Sequence, residues 1–144
     1  MTQRSIDDVR QAFGQLLGAE RRLRARDQHR QGPLTYSDVR ALVALDTEGE
    51  MPAGALAKAS GLNPGTLTAM VDRLEAEEIV ERHRSETDRR VVTIALTPRG
   101  HKLLGERRRE WQRMWNQALA GADDTELAAV SRIMRQMADV LDTL

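Results

Sequence analysis

Three histidines, His29, His83 and His101, are the side chains of this 144-residue chain that ordinarily titrate near neutrality, and there is no cysteine. The histidines fall on different expected elements. No spacing of His, Asp and Glu supplies the three or four convergent ligands that a metal site needs. Without Cys, disulfides and thiol redox sensing are excluded. A Gly-rich phosphate loop and a nucleophile–base pair are also missing, so neither catalysis nor a resident cofactor is expected. The chemistry left is recognition, by small hydroxyl-bearing residues and by arginine. Asn63, Pro64, Gly65, Thr66, Thr68 and Ala69 form a run of small or polar residues, with Arg73 a turn later. Such residues let a helix sink into a DNA major groove. A second cluster places Arg84, Arg89 and Arg90 around Asp88, and arginine suits phosphate and guanine recognition.

The elements that must carry these residues follow from spacing. Leu56, Ala57, Gly61, Leu62 and Leu67 are placed as in a helix-turn-helix. Ala57 is small where two helices cross, and Gly61 supplies the positive φ of the turn. Asn63 caps the next helix, and Pro64 is harmless at its first position, where the N–H has no partner. Leu67, Met70, Val71 and Leu74 recur at helical spacing, so that face packs inward and the polar run faces out. Asp72, Glu75, Glu77 and Glu78 crowd the later turns, and that end is expected to face away from DNA. Ile79 to Arg82 and Arg90 to Leu96 are expected strands, joined by an Arg-rich tip from His83 to Arg89. A helix-turn-helix followed directly by a basic hairpin is a winged helix.

The segments LAKASGLNPGTLTAMVDRLE, IVER, DRR and LTPRG, in this order, resemble the MarR family of bacterial transcription regulators. The flanking helices fit the family in number and length. The resemblance implies a homodimer on a pseudo-palindromic double-stranded DNA operator, most often a repressor. It implies that the Asp of the Asp-x-Arg motif, here Asp88, positions Arg90 for the minor groove, with Arg84 or Arg89 on phosphates. Arg73 would reach a base edge or phosphate; its other reading is an ion pair with Glu77, four residues on. Many members carry a basic residue where this chain has Ala69, a departure that suggests contact with a thymine methyl. Many relatives release DNA when a small phenolic or anionic effector binds between the dimer helices and the DNA-binding lobe. His29, Arg30, Tyr36, Trp111 and Trp115 are candidates for lining that pocket, although core or dimer packing is the first reading of the two tryptophans.

Composition agrees with a regulator that binds selectively. Lys plus Arg and Asp plus Glu both number 22, so the net charge is zero and an indiscriminate polyanion binder is not expected. No apolar run spans a membrane and no signal-peptide core is seen, so a cytoplasmic location is expected.

Along the chain, Ser5 to Asp8 reads as a capping box opening a long first helix, with Ile6, Val9, Phe13, Leu16, Leu17 and Leu23 in period. The basic stretch from Arg21 to Arg30 near its end is read first as a solvated face complementing the helix dipole, and otherwise as a DNA-backbone or anion contact. Thr35 caps a second helix, Asp38 completes its box, and Val39, Leu42, Val43 and Leu45 are its expected core face. Pro52 opens the first helix of the helix-turn-helix. Thr97-Pro98 opens a helix to about Ala120, roughly 35 Å long, which Gly121 ends. Asp123 to Glu126 boxes the last helix, whose stripe is Leu127, Val130, Ile133, Met134, Met137, Val140, Leu141 and Leu144. So wide an apolar face at the end of a small chain points to burial against a second subunit.

The expected fold is mainly α with a small β-hairpin wing. Residues from about 34 to 97 make one winged helix-turn-helix lobe, and those from about 5 to 30 and 98 to 144 make dimerisation helices. The rival readings are a small-molecule-binding helical protein that has lost specific DNA binding, and a helical enzyme. The Asp88-x-Arg90 pair and the uncharged groove face disfavour the first, and the missing catalytic constellation disfavours the second.

Overall fold

The structure, a computed structural model, describes residues 2–27, 32 and 34–144. The chain runs α1 (Gln3–Asp27), α2 (Tyr36–Glu48), β1 (Met51–Pro52), α3 (Ala53–Ser60), α4 (Pro64–Ala76), β2 (Val80–Arg84), β3 (Val92–Leu96), α5 (Pro98–Ala118) and α6 (Asp124–Asp142). It divides into two compact units, Met1–Arg107 and Arg108–Leu144.

In the first unit the helix starts are set by side chains that satisfy orphan N–H groups. The Asp38 N–H donates to Thr35 Oγ1 at 3.2 Å, and the Thr35 N–H donates to Asp38 Oδ2 at 2.7 Å. Both arms of the expected box on α2 are thus made. Asn63 Oδ1 accepts the Thr66 N–H at 2.8 Å, and Pro64 is the first residue of α4. Gly61 closes α3 with φ 64°, and the Leu62 N–H reaches back to the Ala57 carbonyl at 2.9 Å. The first helix corrects the sequence reading. It begins at Gln3, and the capping hydroxyl is Thr2, whose Oγ1 accepts the Ser5 N–H at 3.3 Å. Thr2 offers the same chemistry three residues earlier, which lengthens the helix by three residues.

The core joins α2, α3, α4, the sheet and the start of α5 through Leu42, Leu56, Leu67, Leu74, Ile79, Ile94 and Leu104. On α2 the buried face is Asp38, Ala41, Leu42, Ala44 and Leu45, whereas Val43, expected inside, is exposed. Once Leu42 and Leu45 point inward, the residue after Leu42 turns about 100° away on a 3.6-residue helix.

The sheet has three antiparallel strands in the order β1-β3-β2. The hairpin pairs Val80 with Leu96, Arg82 with Ile94 and Arg84 with Val92. Its strands lie within two residues of those expected. The third strand was not foreseen: Met51 pairs with Ile94 and Pro52 with Thr93. Pro52 therefore caps α3 from an edge strand, where its missing N–H costs nothing.

The C-terminal unit holds the end of α5 and α6. The Glu126 N–H donates to Asp123 Oδ1 at 2.9 Å and the Asp123 N–H to Glu126 Oε2 at 3.0 Å, completing the expected box. No residue of α6 is buried, and Val130, Ile133, Met134, Val140 and Leu141 stand exposed along it. Among the described residues no helix is long and apolar enough to cross a membrane.

The junction into α5 is a tight backbone approach. Thr97 Oγ1 accepts the Gly100 N–H at 3.0 Å, and a Cβ built on buried Gly100 would overlap the Ile79 carbonyl oxygen. Gly100→Ala should therefore destabilise the protein by about 1–3 kcal/mol through overpacking against backbone. Urea unfolding midpoints at matched m-values measure this, and an unchanged midpoint would show that the Ile79 strand end is free to move aside.

Candidate nucleic-acid interface

The outward face of α4 is built as the sequence implied. Asn63, Pro64, Gly65, Thr66, Thr68 and Ala69 are exposed at its N-terminus, while Leu67, Met70, Val71 and Leu74 are buried beneath. Asn63 spends its side-chain oxygen on the cap, and the Thr68 hydroxyl donates to the Pro64 carbonyl at 2.9 Å. The hydroxyl of Thr66 makes neither of these bonds. Pro64 has no N–H and the Thr66 N–H is taken by the cap, so it is chiefly the positive end of the helix dipole that favours a phosphate nearby.

Between β2 and β3 the wing tip is a short, internally bonded loop. The Ser85 N–H donates to the Val91 carbonyl and the Val91 N–H to the Asp88 carbonyl, each at 3.0 Å. Asp88 Oδ1 accepts the backbone N–H of Arg90 at 3.0 Å. The Asp-x-Arg motif thus acts on the backbone of Arg90, an Asx-type turn that sets where the side chain leaves the loop. Arg84, Asp88, Arg89 and Arg90 are all exposed. None of the ion pairs among the described residues involves Arg84, Arg89 or Arg90.

The other arginines near this surface are engaged. Arg73, expected at DNA or beside Glu77, lies 3.7 Å from Glu77 and closer, at 2.5 Å, to Asp38 Oδ1 on α2. Arg82 on β2 reaches Asp72 Oδ1 at 2.5 Å and also pairs with Glu75, both on α4. The Asp72 hydrogen bond, ahead of the Glu75 contacts, raises the Arg82 pKa above its ordinary value. The acidic later turns of α4 thus point at Arg73 and Arg82, away from the N-terminal face. Arg82 was not singled out from sequence, and Asp38 only as a capping residue, because the Arg82–Asp72/Glu75 and Arg73–Asp38 pairs join different elements and no local pattern marks them.

His83 on β2 stands between two carboxylates. Its Nδ1 is 3.2 Å from Glu50 Oε2 and its Nε2 is 2.9 Å from Glu81 Oε1, and Thr93 also donates to Glu50. Neutral imidazole has a single N–H, so serving both carboxylates requires the protonated ring. Glu50 and then Glu81 accordingly raise the His83 pKa. The Thr93 hydrogen bond and then His83 lower that of Glu50.

The candidate effector residues are spread over both units and a segment outside the described residues. His29 and Arg30 lie outside the described residues. Tyr36 belongs to the first unit and is half-buried, with the Arg24 guanidinium carbon 5.4 Å from its ring centre. Trp111 and Trp115 belong to the second unit. The first unit instead holds an apolar cleft of about 240 Å³ lined by Ala53, Leu67, Thr68, Val71, Arg82, Val92 and Ile94. It lies between α4 and the wing strands. Among the described residues no cluster of His, Asp and Glu could hold a metal ion.

A helix-turn-helix and a strand hairpin sharing one core define a winged-helix protein. Residues 34–92 match the model of the MarR family. A stretch of 62 residues is 44% identical to the HTH-type transcriptional regulator YcgE of Bacillus subtilis, covering 42% of this chain and 40% of that one. YsmB, another such regulator of that organism, is 30% identical over 89 residues, 62% of this chain and 61% of its own length. The chain spans about half the length of these curated relatives. Among solved structures, a MarR family protein from Bacillus stearothermophilus is similar with a TM-score of 0.77 at 27% identity, covering 99% of both chains. BpsR of Bordetella bronchiseptica, whose DNA binding is regulated by 6-hydroxynicotinic acid, gives 0.69 at 25% identity, covering 89% of this chain and 98% of BpsR.

The His83 cluster ties the wing to the residue before β1, and its strength depends on pH in two directions. His83, with its raised pKa, contributes fully below the ordinary imidazole value, and the contribution is lost as pH rises through the raised one. Glu50, with its lowered pKa, contributes fully above the ordinary carboxylate value and is lost as pH falls through the lowered one. The wing should be held best in the mildly acidic window between those two ordinary values. Amide exchange at Val92 and Thr93, compared with a His83→Gln variant across pH, is expected to show extra wild-type protection that is greatest in that window and fades on either side as pH passes the raised His83 or the lowered Glu50 value. Equal protection at all pH would remove the titrating role.

Proposed function

We propose that the protein is a homodimeric, sequence-specific transcription regulator, a repressor relieved by a small-molecule effector, and not an enzyme. It acts on double-stranded DNA in the cytoplasm. The observation that carries this reading is the pairing, on one core, of an uncharged exposed α4 face with three exposed wing arginines outside every ion pair of the described residues. Each subunit places the N-terminal half of α4 in a major groove, with Thr66, Thr68 and Ala69 at base edges and Asn63, Pro64 and Gly65 close to the backbone. Arg90 enters the flanking minor groove and Arg84 and Arg89 take phosphates. Two-fold symmetry then requires half-sites about one helical turn apart. With zero net charge, affinity rests on few Arg–phosphate contacts, so specific binding is salt-dependent and non-specific binding weak.

The effector reading is supported by the cleft between α4 and the wing. A small aromatic molecule seated there touches both proposed DNA-contact elements at once. The regulation of BpsR by an aromatic acid is the kind of control this implies. A protein that binds the small molecule but not DNA is the competing reading. Gel shift with the DNA upstream of the chain's own coding region separates the two, because retardation by a purified dimer is expected only from the regulator.

Two outcomes follow. Arg90→Ala should weaken operator binding and relax base preference chiefly at the outer positions, with Asp88→Ala a milder version, since the turn is lost but the charge remains. Binding-site selection on folded variants reads this, and unchanged outer preference for Arg90→Ala would remove the wing from the interface. Second, the exposed α6 stripe is buried between subunits. Light scattering should report twice the 16.2 kDa chain mass. Ile133→Asp should reduce dimer and operator binding together.

A further inference from the structure

Asp38 is the one buried carboxylate among the described residues, with no exposed surface. Its capping duty on α2 does not require burial, because a box is served equally well by an acid at the surface, as at Asp123 and Glu126. Removing a carboxylate from water is costly unless a charged partner compensates. Here the partner is Arg73, 35 residues on, whose Nη2 donates to Asp38 Oδ1 at 2.5 Å, while Oδ2 accepts the Thr35 N–H at 2.7 Å. Arg73 lies in the last turn of α4, on the stripe that runs through Thr66 and Ala69 at helical spacing. Apolar packing beneath α4 decides which face is turned inward but is itself non-directional. A charge-assisted hydrogen bond to a fixed, buried acceptor is directional.

We propose that Asp38 is a positioning residue for DNA readout: through Arg73 it sets the rotation of α4 and thereby what Thr66 and Ala69 present to the major groove. The inference rests on α4 being the recognition helix. It assigns to Arg73 an anchoring role in place of a base contact, and to α2 a direct part in specificity. Asp38→Asn keeps an acceptor for the Thr35 N–H and leaves Arg73, 43% exposed, free to be solvated. Arg73→Gln strands the buried carboxylate and should melt at lower temperature than Asp38→Asn. Adding Asp38→Asn to it should restore much of that loss.

The test is binding-site selection and operator affinity for the full chain, comparing wild type, Asp38→Asn, Arg73→Lys, the Asp38→Asn/Arg73→Gln pair and Ala69→Glu. Positioning predicts that Asp38→Asn weakens operator binding by about tenfold and broadens base preference at the inner half-site. The double variant should be no worse, and Arg73→Lys, which keeps the charge but not the planar fork, should fall between. Ala69→Glu reports on the underlying reading. If it binds DNA normally, α4 is not the recognition helix. If it abolishes binding while Asp38→Asn keeps wild-type affinity and preference, the positioning role is overturned. A gain in non-specific affinity with a steeper salt dependence and unaltered preference would also overturn it, because the pair would then be withholding Arg73 from phosphate.

Discussion

Arg82 is the constraint on which the rest of the proposed interface depends. It grows from the first strand of the hairpin and bonds two carboxylates of α4, Asp72 and Glu75, while its backbone N–H reaches Glu75 Oε1 at 3.3 Å. Asp72 and Glu75 lie three residues apart on one side of the helix and would repel each other without a cation between them. One planar guanidinium satisfies both and fixes the hairpin's direction from the helix. Leu67, Val71 and Ile94 support the same junction from below but leave a cleft there. Helix and wing are therefore joined by a polar clamp above an incompletely filled apolar contact, an arrangement able to hold a geometry and also to be perturbed.

The same clamp explains how a chain of zero net charge can present a basic edge. Asp72, Glu75, Glu77 and Asp38 are matched by Arg82 and Arg73. Glu50 and Glu81 are matched by His83. The wing-tip arginines are left to solvent. Charge is segregated by internal pairing, and a field built this way falls off within a Debye length, about 8 Å at physiological salt. Such a surface attracts DNA when shape already brings it close, and draws little from a distance.

What could be read from the sequence was what is local. The caps at Thr35, Asn63 and Asp123 and the left-handed turn at Gly61 each depend on residues within four positions of one another. Their side chains are too short to reach elsewhere, so spacing alone identifies them. The clamp at Arg82, the buried Asp38 and the strand at Met51 depend on partners found only after the chain has folded back. For Arg73 the local partner, Glu77, is present at 3.7 Å, but an acceptor 35 residues away makes the shorter contact. Val43 shows the same limit in the core: its apolar character fitted a helical stripe that smaller Ala41 and Ala44 fill instead. The α4 face and wing were legible because exposed small residues and unpaired arginines need no partner within the chain.

Only Glu77, Glu78 and Ile79 separate α4 from β2. Glu78 takes a left-handed φ of 58°, the Ile79 N–H returns to the Leu74 carbonyl at 2.8 Å, and the Glu78 carbonyl accepts the Thr97 hydroxyl at 2.6 Å. A side chain other than glycine in that conformation is held there by its surroundings. On the proposed reading this connection is a ruler: it sets the number of base pairs between the positions read by the helix and by the wing. An operator lengthened by one pair between them would shift one contact by about 3.4 Å along the duplex, and the connector has no slack with which to follow. New binding preferences in this scaffold are thus open to exchange of side chains on either element, whereas a change of spacing would require rebuilding the joint itself.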